Sequence, residues 1–232
     1  MLRIRKANER GFVDHDWLKS RHTFSFASYN DPRHMHFRSL RVINEDWISG
    51  GMGFEAHPHN DMEIITYVLD GELEHQDSMG NKSVIRPGEV QRMSAGKGVV
   101  HSDYNKLGDR PTHLLQIWIL PNQKGGEPGY QQKDFTNAFL DEALTLVASE
   151  KGRSGSIDIL QDADVYVAKL KKDARIQFEP REKRGIWIQM ARGKMRLNNL
   201  EISAGDAVAA EDERRLEMLS LESSEFLLFD LA

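Results

Sequence analysis

The chain has 232 residues, a formal net charge of −5 and no cysteine, which excludes disulfides, thiolate metal sites and cysteine nucleophiles. Its apolar fraction of 39% supports an ordinary globular core, in one large domain or two small ones, and no apolar run reaches the roughly 20 residues that a membrane span needs. No basic stripe marks a nucleic-acid footprint, and no apolar stretch follows the basic start Met1-Leu2-Arg3-Ile4-Arg5-Lys6 as a signal peptide requires, so a cytoplasmic protein is expected.

Strand signals dominate. Glu63 to Leu69 (EIITYVL) is β-branched and aromatic, and His113 to Leu120 (HLLQIWIL) is almost wholly apolar, as in strands buried on both faces. Turn signals fall at Ser49-Gly50-Gly51, Asp70-Gly71, Met79-Gly80-Asn81, Pro87-Gly88 and Gly96-Lys97-Gly98. Many short strands between such breaks predict a sandwich or barrel. Pro121 to Gly129 (PNQKGGEPG) is the linker candidate, giving domains 1–125 and 126–232.

The one helix of any length is expected within Phe135 to Glu150, although Leu144 to Ala148 (LTLVA) reads equally well as a strand. Beyond Ser156 the strands resume. Val165, Val167 and Leu170 share one; in the next, Ile186, Ile188 and Met190 alternate with Trp187 and Gln189, which turns the first three to the core. Met195 and Leu197, then Leu216 to Leu221 and Glu225 to Leu231, close the chain. Arg86-Pro87-Gly88-Glu89-Val90 resembles Ser203-Ala204-Gly205-Asp206-Ala207, and Leu69-Asp70-Gly71-Glu72-Leu73 resembles Ala191-Arg192-Gly193-Lys194-Met195. The halves therefore read as two versions of one unit.

All nine histidines lie between His15 and His113. His57-Pro58-His59 and His101-Ser102-Asp103 each have i, i+2 spacing, which on a strand places both side chains on one face. Two such strands facing each other would bring three imidazoles and one carboxylate to a point, a ligand set that suits iron, zinc, nickel, copper or manganese. A lone His-x-His on a strand usually marks nothing. The second pair, which follows a glycine turn, makes a metal site as good a reading as a structural one. The second half has no histidine and cannot repeat the site.

The surrounding residues carry a resemblance. Gly51-(five residues)-His57-Pro58-His59-(three residues)-Glu63 matches the first cupin motif, and Gly98-(two residues)-His101-(three residues)-Asn105 matches the end of the second. His22 to Tyr29 (HTFSFASY), Arg41 to Asn44 (RVIN), Thr66 to Leu69 (TYVL), Glu74 to Gly80 (EHQDSMG) and Gln116-Ile117-Trp118 together resemble the pirin family, strongly over the first half and more weakly over the second. That resemblance implies an all-β bicupin, two tandem cupin barrels (double-stranded β-helices, jelly-roll-like) with a mononuclear metal in the first only. It implies His57, His59, His101 and Asp103 as ligands, the last at a position where the family usually has glutamate. Aspartate is one methylene shorter, so its oxygens would fall about 1–1.5 Å short without a backbone shift, and metal–oxygen bonds tolerate far less. Direct, water-mediated or absent ligation by Asp103 all stay open.

The cofactor implied is one divalent transition metal, iron(II) first, with zinc, nickel, copper or manganese as alternatives. The activity implied is ring-opening 2,3-dioxygenation of a flavonol such as quercetin, with Asp103 also as general base. The alternative is a non-catalytic, metal-binding regulatory protein that docks onto a transcription factor or metabolic enzyme. The expected partner is thus a small aromatic substrate or a protein, without direct nucleic-acid or membrane binding. A monomer is the default, since no long amphipathic surface helix is evident. Among other residues, Glu63 is placed near the metal without ligating it, or more simply as a paired core carboxylate. Gln116 is assigned to the core, His75 to a solvated strand end, His34 and His36 to the surface, and Phe24, Phe26 and Tyr29 to core aromatics. Arg181 to Arg184 (REKR) reads as a solvated turn and is the best docking patch.

Overall fold

The computed structural model describes Met1–Ala232. It holds 22 strands, three short 3-10 turns and no α-helix, so no helix is long and apolar enough to cross a membrane. In chain order the strands are β1 (Leu2–Arg5), β2 (Gly11–Asp14), β3 (Leu18–His22), β4 (Leu40–Ile48), β5 (Gly53–His59), β6 (Glu63–Asp70), β7 (Leu73–Asp77), β8 (Lys82–Ile85), β9 (Glu89–Ser94), β10 (Val99–Tyr104) and β11 (Thr112–Ile119). They continue as β12 (Gly129–Asp134), β13 (Thr145–Glu150), β14 (Ile157–Ile159), β15 (Ala163–Leu170), β16 (Arg175–Phe178), β17 (Gly185–Arg192), β18 (Lys194–Leu197), β19 (Leu200–Ser203), β20 (Ala207–Ala210), β21 (Leu216–Ser220) and β22 (Ser224–Leu231).

Contacts group the chain into two compact units, one of residues 11–136 with 157–161, the other of residues 1–10, 137–156 and 162–232. The first unit has a seven-stranded sheet in the order β12-β9-β6-β11-β4-β3-β2 and a four-stranded sheet in the order β5-β10-β7-β8. The second has β1-β20-β17-β22-β15-β13 and, separately, β16-β21-β18-β19. The small sheets match strand for strand, and so do the large ones from β12 to β3 and from β1 to β13; β9 and β20 each start just after a positive-φ glycine, Gly88 and Gly205. The internal repeat read in the sequence is thus a repeat of topology. In neither unit do hydrogen bonds join the large sheet to the small one, so each cupin is two facing sheets and not a closed barrel. The strand β12, beyond the Pro121–Gly129 segment, pairs with β9 in the first unit, and β1 pairs with β20 in the second.

The expected strands form because alternation and β-branching suit a half- or fully buried pleat. All of β22 is buried, as is β6 up to Leu69. In the second unit Ile186, Ile188 and Met190 do face the core, packed with Met195, Leu197, Phe226 and Leu228 into a continuous apolar filling. The first unit's cluster of Leu18, Ile48, Val68, Leu73, Ile85 and Leu114 is smaller, with Trp17 and Phe54 against it. Beside it lies a cavity to which Trp17, Leu18 and Phe54 also belong.

One expectation fails here and one holds in part. The helix expected within Phe135–Glu150 is a four-residue 3-10 turn, Ala138–Asp141, followed by β13. Glu142 ends the turn in the left-handed region (φ 50°), and pairing of β13 with β15 overrides local helix propensity. The Arg181–Arg184 segment is a solvated turn over Arg181, Glu182 and Lys183, which are exposed, but not at its last residue. Arg184 is buried, with Nε 2.5 Å from Asp230 Oδ1 and Nη1 2.7 Å from Asp162 Oδ1, and Arg181 reaches Asp164 at 3.4 Å.

Candidate metal centre and its cavity

The strands β5 and β10 are antiparallel neighbours, with His57 directly opposite His101 and His59 opposite Val99. The two histidine pairs thus lie side by side in one sheet; sequence spacing alone suggested strands facing each other. Between His101 and Asp103 the register slips, because Asp103 pairs with Phe54. Glu55 and Ala56 together oppose Ser102, a β-bulge that re-aims the residues around it. In a regular strand Phe54 and His57 would point to opposite faces; here both line the same cavity. The bulge also fixes a tautomer. His57 Nδ1 lies 2.7 Å from the Glu55 carbonyl, which only accepts, so Nδ1 carries the proton and Nε2 keeps its lone pair.

One ring nitrogen each of His57, His59 and His101 lies within 4.8 Å of the others. His101 is 3% exposed, and neither of its nitrogens makes a hydrogen bond; its Nδ1 stands 3.3 Å from Asp103 Oδ2, outside hydrogen-bonding geometry. Burial first, then His101 and His57, push the His59 imidazole down to about 4, so it is neutral at physiological pH, the form that ligates. A buried imidazole without partners, a second with its Nδ1 proton tied to a carbonyl and a third held neutral fit a divalent metal. Both nitrogens of a second trio member, His75, are already used, by Asp103 at 2.8 Å and by Asp77 at 3.3 Å. The trio of His75, His101 and Asp103 is therefore not an open coordination site, because His75 is spent on the two carboxylates and only His101 has its nitrogens free.

The three histidines sit beside a cavity of about 560 Å³ lined by β3, β4, β5, β10 and β11, within the range of small-molecule sites. Its walls are mixed. Phe26 and His59 each meet Trp118 edge to face, at 5.3 and 4.9 Å, while Ser20, His22, Asn44, Asp46 and Gln116 supply polar groups.

Residues 3–119 match the family described as Pirin, and residues 146–231 match the quercetinase C-terminal cupin domain. The chain belongs to the pirin family. It is similar to the quercetin 2,3-dioxygenase of Escherichia coli K12, with 47% identity over 231 residues covering 100% of this chain and 99% of that protein. A pirin-like protein of Caulobacter vibrioides is 39% identical over 233 residues, covering all of both. Among solved structures, the bacterial pirin YhhW from Escherichia coli in complex with nickel(II) superposes with a TM-score of 0.95 at 47% identity, covering 100% of this chain and 99% of that one.

Against this pirin fold the remaining sequence assignments can be placed. Asp103 lines the cavity but turns Oδ1 to His75; burial opposes its ionisation, and His101 and His75 overcome that and hold the carboxyl well below the usual range. His75 is not solvated but 1% exposed, ringed by Asp103, Asp77 and the face of Tyr130. Glu63 is a paired core carboxylate away from the histidines, accepting from Ser94 at 2.8 Å and from the Leu160 amide at 3.3 Å; burial pushes its pKa up against the pull of Ser94 and Arg92. Gln116 accepts from Thr66 at 2.9 Å and also lines the cavity, so it is not purely core. Phe24 is core, whereas Phe26 borders the cavity. His36 is exposed and His34 partly so. Sequence reasoning missed Ser20, Asn44, Asp46 and Trp118. A signal existed for two of them: Asn44-Glu45-Asp46 interrupts the apolar strand RVINEDWI, and buried polar residues in such a strand ask for a reason.

Proposed function

We propose that this chain is a metal-dependent oxidoreductase that opens a flavonol ring by 2,3-dioxygenation, with quercetin as representative substrate, dioxygen as co-substrate and iron(II) as the metal. We assign His57, His59 and His101 as ligands, and Asp103 as the carboxylate at the same centre and its proton acceptor. The observation that carries the reading is the meeting of three imidazole nitrogens, with His57 and His59 on the wall of a cavity of about 560 Å³ and His101 buried directly behind them. The names of the relatives, and the nickel(II) bound by YhhW, support it by kinship.

A divalent metal at that point supplies Lewis acidity, which lowers the pKa of a bound hydroxyl. The protein's own residues do the rest. Trp118, Phe26 and Phe54 give apolar and aromatic faces on which a planar ring system packs. Asp103 is kept unprotonated by His101 and His75, which leaves a carboxylate oxygen open to a proton while the same two contacts make it a weak base. His57 keeps its orientation through the Glu55 carbonyl.

The test is flavonol consumption in air by protein reconstituted in turn with iron(II), nickel(II), manganese(II) and zinc(II), for the wild type and His59→Ala. The wild type is expected to turn over far faster than the variant with at least one redox-active or Lewis-acidic metal. Equal rates with every metal would end the catalytic reading.

A further inference from the structure

One wall of the cavity is polar in a way that neither the fold nor the metal explains. The strands β3, β4 and β11 run side by side, and their register sets Ser20 opposite Asp46, and Asn44 opposite Gln116. These residues alternate along their strands and share the face that lines the cavity. Gln116 has its partner in Thr66. Ser20 Oγ and Asn44 Oδ1 are buried and have none, although the two residues are only 2% and 4% exposed. Asp46 is 3% exposed on the same patch, and burial pushes its carboxyl up to about 7, offset only in part by Ser20 and His113. Leaving a buried polar atom unsatisfied costs about 1–3 kcal/mol. Two such atoms, on Ser20 and Asn44, beside a buried carboxylate on the same stretch of cavity wall point to a ligand that satisfies them. The histidines come from the other, four-stranded sheet, so this patch and the metal ligands belong to different walls of one cavity.

We propose that Ser20, Asn44 and Asp46 form a second, metal-independent subsite that binds the hydroxyls of an aromatic ring and selects ligands carrying adjacent phenolic hydroxyls. The proposal rests on the flavonol reading and names the ligand feature that the second wall recognises. Asp46 and Asn44 Oδ1 accept hydrogen bonds, and the Ser20 hydroxyl donates or accepts. A catechol brings two donors to this set. A bare phenyl ring brings none and leaves every group on the wall unsatisfied, the arrangement in which polar sites reject an analogue most strongly.

Calorimetric titration of zinc-loaded protein without oxygen separates the subsite from turnover. The probes are quercetin, whose pendant ring is a catechol, and galangin, which differs only in lacking those two hydroxyls. The wild type is expected to bind quercetin at least about tenfold more tightly, as one or two added hydrogen bonds imply. In Asp46→Ala that preference should shrink to within about twofold while galangin affinity and zinc content hold. The near-isosteric Asp46→Asn and the uncharged Asn44→Ala should each reduce the preference, which keeps the test open if Asp46→Ala folds poorly. A wild type that binds both equally, or variants that keep the full preference, overturns the subsite and leaves the flavonol reading standing. A wild type that binds neither compound overturns both.

Discussion

His75 Nδ1 lies 2.8 Å from Asp103 Oδ1 with both side chains almost fully buried, and its Nε2 is 3.3 Å from Asp77. Burial works against a charged imidazole there, but the two carboxylates outweigh it and raise the pKa. Asp77 is itself tied down by Asn81 and by the Met79 amide. His75 therefore fixes Asp103 without offering a nitrogen to a metal. Replacing His75 by Ala strips a buried carboxylate of its strongest partner, which is expected to cost roughly 3–5 kcal/mol in urea unfolding. Metal affinity should fall about 10–100-fold, as for other residues that orient ligands from behind. Full stability and unchanged metal binding would show that Asp103 does not depend on this contact.

Asp103→Glu tests reach. The longer arm can extend from the bulged strand toward the histidine nitrogens while the backbone of β10 stays in register with β7. Nickel(II) loss to a chelator is expected to be slower in the variant than in the wild type, and turnover higher. Identical rates of loss would mean that the tie to His75, rather than arm length, sets occupancy.

Much of this was readable from local pattern. Continuous apolar or β-branched runs marked β6 and β11, alternation marked β17, and the two histidine pairs fell together because i, i+2 spacing survives any choice of partner strand. The burial of His75 was also legible: it shares its parity with Leu73 in the strand LEHQD, whose odd positions are all buried. What could not be read is what depends on a partner far along the chain. The bulge opposite Ser102 exists only in the pairing of β5 with β10. Asn44 and Asp46 show their alternation in the sequence, yet only β3 and β11 make that face a cavity wall. The second unit's lack of histidine was plain, and its apolar filling comes from the alternating apolar residues of strands such as β17.

Asp46 should make stability depend on pH in a direction opposite to most carboxylates. Its pKa is raised from 3.8 to about 7 in the folded chain, so between those values the folded state binds the proton more tightly than the unfolded one. Stability then falls as pH rises through that window, and the full cost, about 4 kcal/mol, is present above pH 7. Asp46→Asn removes this dependence. The variant should gain on the wild type by about 2–3 kcal/mol between pH 5 and pH 8 in paired denaturant titrations. A constant difference across that range would show that Asp46 is ionised in the native state throughout. A more stable but less discriminating variant is also what a binding residue should give, since such sites hold groups that folding alone would not choose.

Gly53 begins β5 opposite Tyr104, and a Cβ there would collide with the Asp103 carbonyl and the Tyr104 Cα. Both are backbone, so no side-chain rotation relieves the clash; β5 has to move away from β10 at the point where the bulge sets His57 against His101. Gly51 is the useful contrast. It has φ +74° and nothing within 4 Å of an added Cβ, so alanine there meets only backbone strain of about 1–2 kcal/mol. Gly53→Ala should cost about 1–3 kcal/mol by overpacking and also lower metal content, whereas Gly51→Ala should lose stability alone. Metal analysis of the two purified variants beside their melting temperatures decides it. If Gly53→Ala keeps its full metal, the approach of β5 to β10 is not what holds the three imidazoles together.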